Sequence, residues 1–132
     1  MTRSLWRAAA CAGALATAMA TGPAAAQAGE GLEGEWKGRI TIKSGRQFDA
    51  DLQLQATGGI WRTILQSTSD PCIGIPTPMQ WRRLDSGAYE LHFQSSKALT
   101  GCRDNVITFQ RIDATTLKGR SDAGVEIVLT RR

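Results

Sequence analysis

From Glu35 onward apolar and polar residues alternate with a period of two, the period of a strand buried on one face. In residues 35–43, Trp36, Gly38, Ile40 and Ile42 share one side, and Glu35, Lys37, Arg39, Thr41 and Lys43 share the other. Residues 47–56 repeat the pattern, with Phe48, Ala50, Leu52, Leu54 and Ala56 inward and Gln47, Asp49, Asp51, Gln53 and Gln55 outward. Ser44-Gly45-Arg46 between them has the chemistry of a tight hairpin turn. Further strand-like segments cover residues 60–68, 79–84, 88–95, 105–112, 115–121 and 125–131. Their punctuation is Thr57-Gly58-Gly59, Asp85-Ser86-Gly87, Asp113-Ala114 and Asp122-Ala123-Gly124, all turn-forming combinations. No segment carries a helical stripe. Eight short strands joined mostly by tight turns predict an all-β, antiparallel up-and-down meander, and rolling it into a barrel removes its two exposed edges.

The connections in such a barrel have a parity, because every odd-to-even connection lies at the same end. Cys72 falls in the third-to-fourth connection and Cys102 in the fifth-to-sixth, so both cysteines are expected at one rim. These are also the two long connections, SDPCIGIPTP and SKALTGCRD. Closure further makes the first and eighth strands neighbours, which predicts Arg131 or Arg132 over the indole of Trp36 as a cation–π contact.

The residues before the barrel have a different composition. Residues 1–28 begin with Arg3 and Arg7, contain no acid, continue in an Ala-rich run and end with Ala26 and Ala28 placed for cleavage. They predict a Sec-type signal peptide, with Ala18 and Ala20 offering an earlier cut. Thr17, Thr21, Gly22 and Pro23 interrupt the run, which is too short for a transmembrane helix. Residues 29–34 read as a linker and 35–132 as one barrel domain. Taking residues 1–28 away leaves 14 Lys plus Arg against 12 Asp plus Glu, a formal charge of only +2 instead of +4. Scattered charges of both signs give no basic face for a nucleic acid. Cys11 leaves with the leader, and Cys72 and Cys102 remain as an even pair predicted to form one disulfide in a periplasmic or secreted protein.

Gly34-x-Trp36 at the first strand, eight short strands and a terminal arginine resemble the calycin group of small barrels, which includes lipocalins and avidins. The longer pattern runs Leu32-x-Gly34-x-Trp36-x-Gly38, Cys72-x-Gly74, Cys102 and Leu129-x-Arg131. It is similar to small bacterial extracellular barrels with a single disulfide. The resemblance implies the barrel and structural roles for Gly34, Trp36 and Arg131. Lys37-Gly38-Arg39 stands where an avidin would grip biotin, so no ligand is implied.

Candidate chemistry is sparse. The single histidine, His92, lies between Glu90 and Gln94 on the polar face of its strand, with no motif supplying a nucleophile. The disulfide uses both remaining cysteines, which leaves no zinc ligand set, and Asp49 and Asp51 read as strand surface. No metal, cofactor or catalytic residue is expected. What stands out is Trp81 beside Arg82 and Arg83, Arg103 in the second long loop, and the loop 69–78. That loop is stiffened by Pro71, Pro76 and Pro78 and carries Ile73 and Ile75 where a connection is usually polar. These residues are expected to form a rim that binds a protein or small-molecule ligand without catalysis in a monomeric, exported protein. The alternative is an inhibitor of an envelope or host enzyme, of lysozyme or protease type, that inserts loop 69–78 into a cleft.

Overall fold

The structure is a computed structural model that describes residues 31–65 and 69–132. The leader and part of the linker lie outside the described residues, as does the end of the third predicted strand. Eight strands follow one another: β1 (Gly34–Thr41), β2 (Gln47–Leu54), β3 (Gly58–Ile64), β4 (Thr77–Arg83), β5 (Tyr89–Phe93), β6 (Asn105–Asp113), β7 (Thr116–Arg120) and β8 (Glu126–Arg131). Each pairs antiparallel with the next, and β8 returns to β1 to close an up-and-down barrel. One helical turn, α1 (Ser95–Ala98), interrupts the β5–β6 connection.

The predicted alternation sets the inside and the outside. Trp36, Ile40, Ala50, Leu52, Leu54, Trp61, Met79, Tyr89, Leu91, Phe93, Ile107, Phe109, Leu117, Ile127 and Leu129 are buried in one continuous core. Large side chains are accommodated beside small ones, as the taper of a small barrel requires. A methyl group added to Gly38 would sit 3.2 Å from both the Trp61 ring and Ala50, so the indole occupies the space that Gly38 leaves. Phe109, paired with Gly119, lies over it so closely that an added Cβ would meet the ring at 2.8 Å. Trp61 in turn meets Phe93 edge to face, with centroids 5.2 Å apart.

The seam between β1 and β8 forms as expected, in the register Trp36↔Arg131, Gly38↔Leu129 and Ile40↔Ile127. The Arg131 guanidinium lies 4.4 Å from the centroid of the Trp36 ring. Trp36 is fully buried, and its indole N–H donates to the carbonyl of Leu32 at 2.8 Å. Arg131 also donates to the carbonyls of Gly31 and Glu33. These bonds fold residues 31–33 across the barrel end. Leu32, which the polar pattern leaves in the linker, is therefore fully buried, and β1 begins at Gly34. Gly34 takes φ 126°, in the region that favours glycine, with the Arg131 guanidinium 3.1 Å from where a Cβ would stand. Ala56, predicted to point inward, is exposed because β2 ends at Leu54 and the chain turns there.

Two substitutions test this packing. Trp36→Ala is expected to cost about 3 to 5 kcal/mol in denaturant melts, because it removes a buried indole and leaves a cavity. Gly119→Ala is expected to cost roughly 1 to 3 kcal/mol by pushing on the Phe109 ring. A loss below about 0.5 kcal/mol in either would contradict the assigned interior.

Candidate functional site

The parity of the connections gives the barrel two unlike ends. One carries the short turns after β2, β4 and β6, together with Leu32 and Trp36. The other carries the turns after β1 and β7 and both long connections, described over residues 69–76 and 94–104. The disulfide between Cys72 and Cys102 joins these two connections, with Cα atoms 5.6 Å apart and Cys102 buried.

Local hydrogen bonds shape each loop. The Asp70 carboxylate accepts from the N–H of Cys72 at 2.9 Å, and the N–H of Ile73 donates to the Asp70 carbonyl at 3.2 Å, making a tight turn around Pro71. The Thr77 hydroxyl, almost fully buried, donates to the Ile75 carbonyl and fixes the return of the chain into β4. In the second loop the Asp104 carboxylate accepts from the N–H of Ser96 at 2.9 Å, which lowers its pKa. Its first residue, Gln94, donates its N–H to the Pro78 carbonyl, so both loops are held over the start of β4.

The predicted site residues divide between the two ends. Ile73, Ile75 and Arg103 stand at the disulfide end, where Ile75 is half-buried and Ile73 and Arg103 are exposed. Trp81, Arg82 and Arg83 do not join them. β4 starts at the disulfide end with Thr77 and runs away from it, so Trp81 lies about 13 Å further along at about 3.3 Å per residue. Instead Trp81 closes the opposite end, where its indole N–H donates to the Gln55 carbonyl at 2.8 Å and its ring packs 6.1 Å from that of Tyr89. Arg82 pairs with Glu90 on the outer wall, and Arg83 is exposed near the β4–β5 turn. A single rim containing all six residues is therefore corrected to two groups at opposite ends.

The inward side chains pack into one continuous core cluster. Among the described residues, shallow depressions indent the outer wall, two of which lie beside charged groups. One, of about 350 Å³, runs between β1 and β8 beside Lys37, Arg39, Thr130 and Arg132. The other, of about 340 Å³, is lined by Thr57, Gln80, Trp81, Arg82, Glu90 and His92. In the second, one carboxylate oxygen of Glu90 lies 2.9 Å from Nε of Arg82 and 2.7 Å from Nε2 of His92. An ionised carboxylate only accepts, so Nε2 carries the imidazole proton in this contact. Asp49 and Asp51 are likewise engaged across strands, by Arg39 and Arg132. Among the described residues no cluster of three or more His, Cys, Asp or Glu could hold a metal.

Sequence alternation left several exposed apolar residues unremarked. Ile60 and Ile64 point outward from β3, and Leu99 and Val106 are exposed in and just after the second loop. The signal for the first two was present, since an inward Trp61 requires Ile60 and Ile64 to face out.

Hydrogen bonds from Arg82 and then His92 hold the Glu90 carboxyl below its ordinary value. Such a group adds stability above the pKa of the unfolded chain and loses it as pH falls through the lower, folded value. Stability is thus expected to drop as pH falls below about 4.5, with Asp104 and Asp113, also lowered, acting in the same direction. Urea melts of Glu90→Gln should show a shallower loss in this acid range than the wild type; an identical pH profile would remove Glu90 from this role.

Comparison of the chain with protein-family profiles, curated proteins and solved structures returned no match.

Proposed function

We propose that this is an exported, calycin-like, non-catalytic module that binds another protein through the disulfide-tied end of its barrel. The observation that carries this reading is the contrast between a filled interior and a braced, partly apolar exterior at one end. A barrel that takes a small apolar ligand needs an open cavity behind its mouth. Here Trp61, Phe93 and Ile107 fill that region, while Ile73 and Leu99 are exposed on the two joined loops. A disulfide and three prolines leave the 69–78 loop little conformational freedom to lose on docking, which favours tight association.

Export fits the leader composition and the disulfide. Among the described residues no helix is long and apolar enough to cross a membrane. The filled interior also favours enzyme inhibition over small-molecule carriage as the more specific form of the reading, with the proline-bounded loop entering the cleft of an envelope or host enzyme of lysozyme or protease type.

Affinity capture from an envelope extract tests the proposal, using the oxidised protein, a Cys72→Ser/Cys102→Ser variant and Ile73→Asp. The expected result is a protein retained by the wild type and lost by at least tenfold in both variants. The proposal fails if Ile73→Asp, shown to be folded, retains the same proteins equally, or if native mass spectrometry finds a small molecule bound inside the barrel. Reduction is separately expected to lower stability by about 3 to 4 kcal/mol, from the loop closed by a bond spanning 30 residues. Equal melting midpoints with and without reductant would contradict that contribution.

A further inference from the structure

Ion pairs and exposed apolar side chains are unevenly spread over the outer wall of the barrel, with Arg82 and His92 on Glu90 joining β4 and β5. Across β7, β8, β1 and β2 the wall carries a ladder of ion pairs: Arg39 with Asp49, Arg132 with Asp51, and Lys118 and Arg120 with Glu126. The six large exposed apolar side chains among the described residues, Ile60, Ile64, Ile73, Leu99, Val106 and Ile112, belong instead to β3, β6 and the two tied loops, with Ile112 alone at the end of β6 away from those loops. Loop 69–76 turns back toward β3, with a Cβ added to Gly74 lying 3.6 Å from the Thr63 carbonyl, and α1 packs against β4. The first tied loop therefore lies beside the end of β3 that carries Ile64. The wall was absent from the sequence expectation of a rim alone.

The charges around this surface are also unlike those of the opposite wall. Asp51 stands directly across from Arg62 in the β2–β3 register, yet its carboxylate is taken by Arg132. Arg62 is left between Ile60 and Ile64 with no ion pair among the described residues, and Arg103 next to Cys102 has none either. The two carboxylates of the tied loops, Asp70 and Asp104, each accept a backbone N–H. Counting the adjoining turns, the loops at this end carry Lys43, Arg46, Lys97 and Arg103 against Asp70, Asp104 and Asp122, and Arg62 lies on the β3 wall beside them.

Resting on the protein-binding reading above, we infer that the partner is a folded protein with an apolar recess bordered by carboxylates, and that the contact extends from the tied loops onto the β3 wall. Ile73 and Leu99 enter the recess, Ile60 and Ile64 extend the apolar contact, and Arg62 and Arg103 meet acidic groups at its border. This is the usual arrangement of a desolvated apolar centre within a charged rim, where the rim mainly directs encounter and selects the partner. The ion-paired wall of β7, β8, β1 and β2 stays in water.

The test places a photo-crosslinking amino acid in turn at Ile73, Leu99 and Ile64, and at the exposed Ile112 near the opposite end of β6 as a control. The full chain is expressed with its own leader, and crosslinked peptides are identified by mass spectrometry. Arg62→Glu and Arg103→Glu are combined with each probe, after thermal melts establish that the variants fold. The expected result is one protein captured from all three positions and not from Ile112, crosslinked beside Asp or Glu residues, with yield reduced at least tenfold by charge reversal. Capture from Ile73 and Leu99 alone, or capture unaffected by charge reversal, overturns this inference and leaves the protein-binding reading standing. No capture from Ile73, or equal capture from Ile112, overturns both.

Discussion

Closure of the barrel depends on how one indole is buried. Trp36 lies at the start of β1 opposite Arg131 at the end of β8, so its position is also the register of the closing seam. A fully buried indole needs an acceptor for its N–H, and the carbonyl of Leu32 supplies it. That bond draws the preceding chain across the barrel end and buries Leu32. Arg131 then covers the ring and donates to the carbonyls of Gly31 and Glu33. The cation–π contact is worth about 0.5 to 2 kcal/mol, less than burial of the ring itself, so its main consequence is to hold the seam and the plug in one arrangement.

With this end plugged and a continuous core inside, the proposed recognition is assigned to the outside of the barrel. The antiparallel meander has already sorted its connections into a short-turn end and a long-loop end. The disulfide, with Cys102 buried, stiffens the latter, while outward cross-strand ion pairs keep β7, β8, β1 and β2 solvated. Fold maintenance and the proposed binding are thus assigned to different parts of a small molecule, and residues such as Ile73 and Arg62 are free of duties in the core. The same separation explains why Trp81, aromatic and followed by two arginines, belongs to the plug region: its N–H and its ring are both spent on Gln55 and Tyr89.

The barrel was legible because alternation is a local property, and a reading of inward positions such as Leu52 or Phe109 needs only the neighbouring residues. The shared rim of Cys72 and Cys102 was legible from counting connections, and the Trp36–Arg131 contact from closure alone. The site was less so. Adjacent residues in a sequence segment can stand at opposite ends of a strand, and the proximity of Trp81–Arg83 to loop 69–78 along the chain hid the distance that β4 puts between them. Leu32 escaped because its burial depends on a hydrogen bond to an indole four residues later, which no periodicity carries. Arg62 escaped because its direct cross-strand carboxylate is claimed from the other side by a residue at the far end of the chain.

The independence of the two ends is most directly measured by comparing amide and indole NMR spectra of the oxidised and reduced protein. If the seam and plug hold the fold by themselves, reduction shifts signals from residues 69–76 and 94–104 and from the adjoining ends of β3, β4 and β6. The Trp36 indole N–H and the paired amides of β1 and β8 then keep their positions. Displacement or loss of the Trp36 indole signal on reduction would contradict this separation and make the disulfide part of barrel closure.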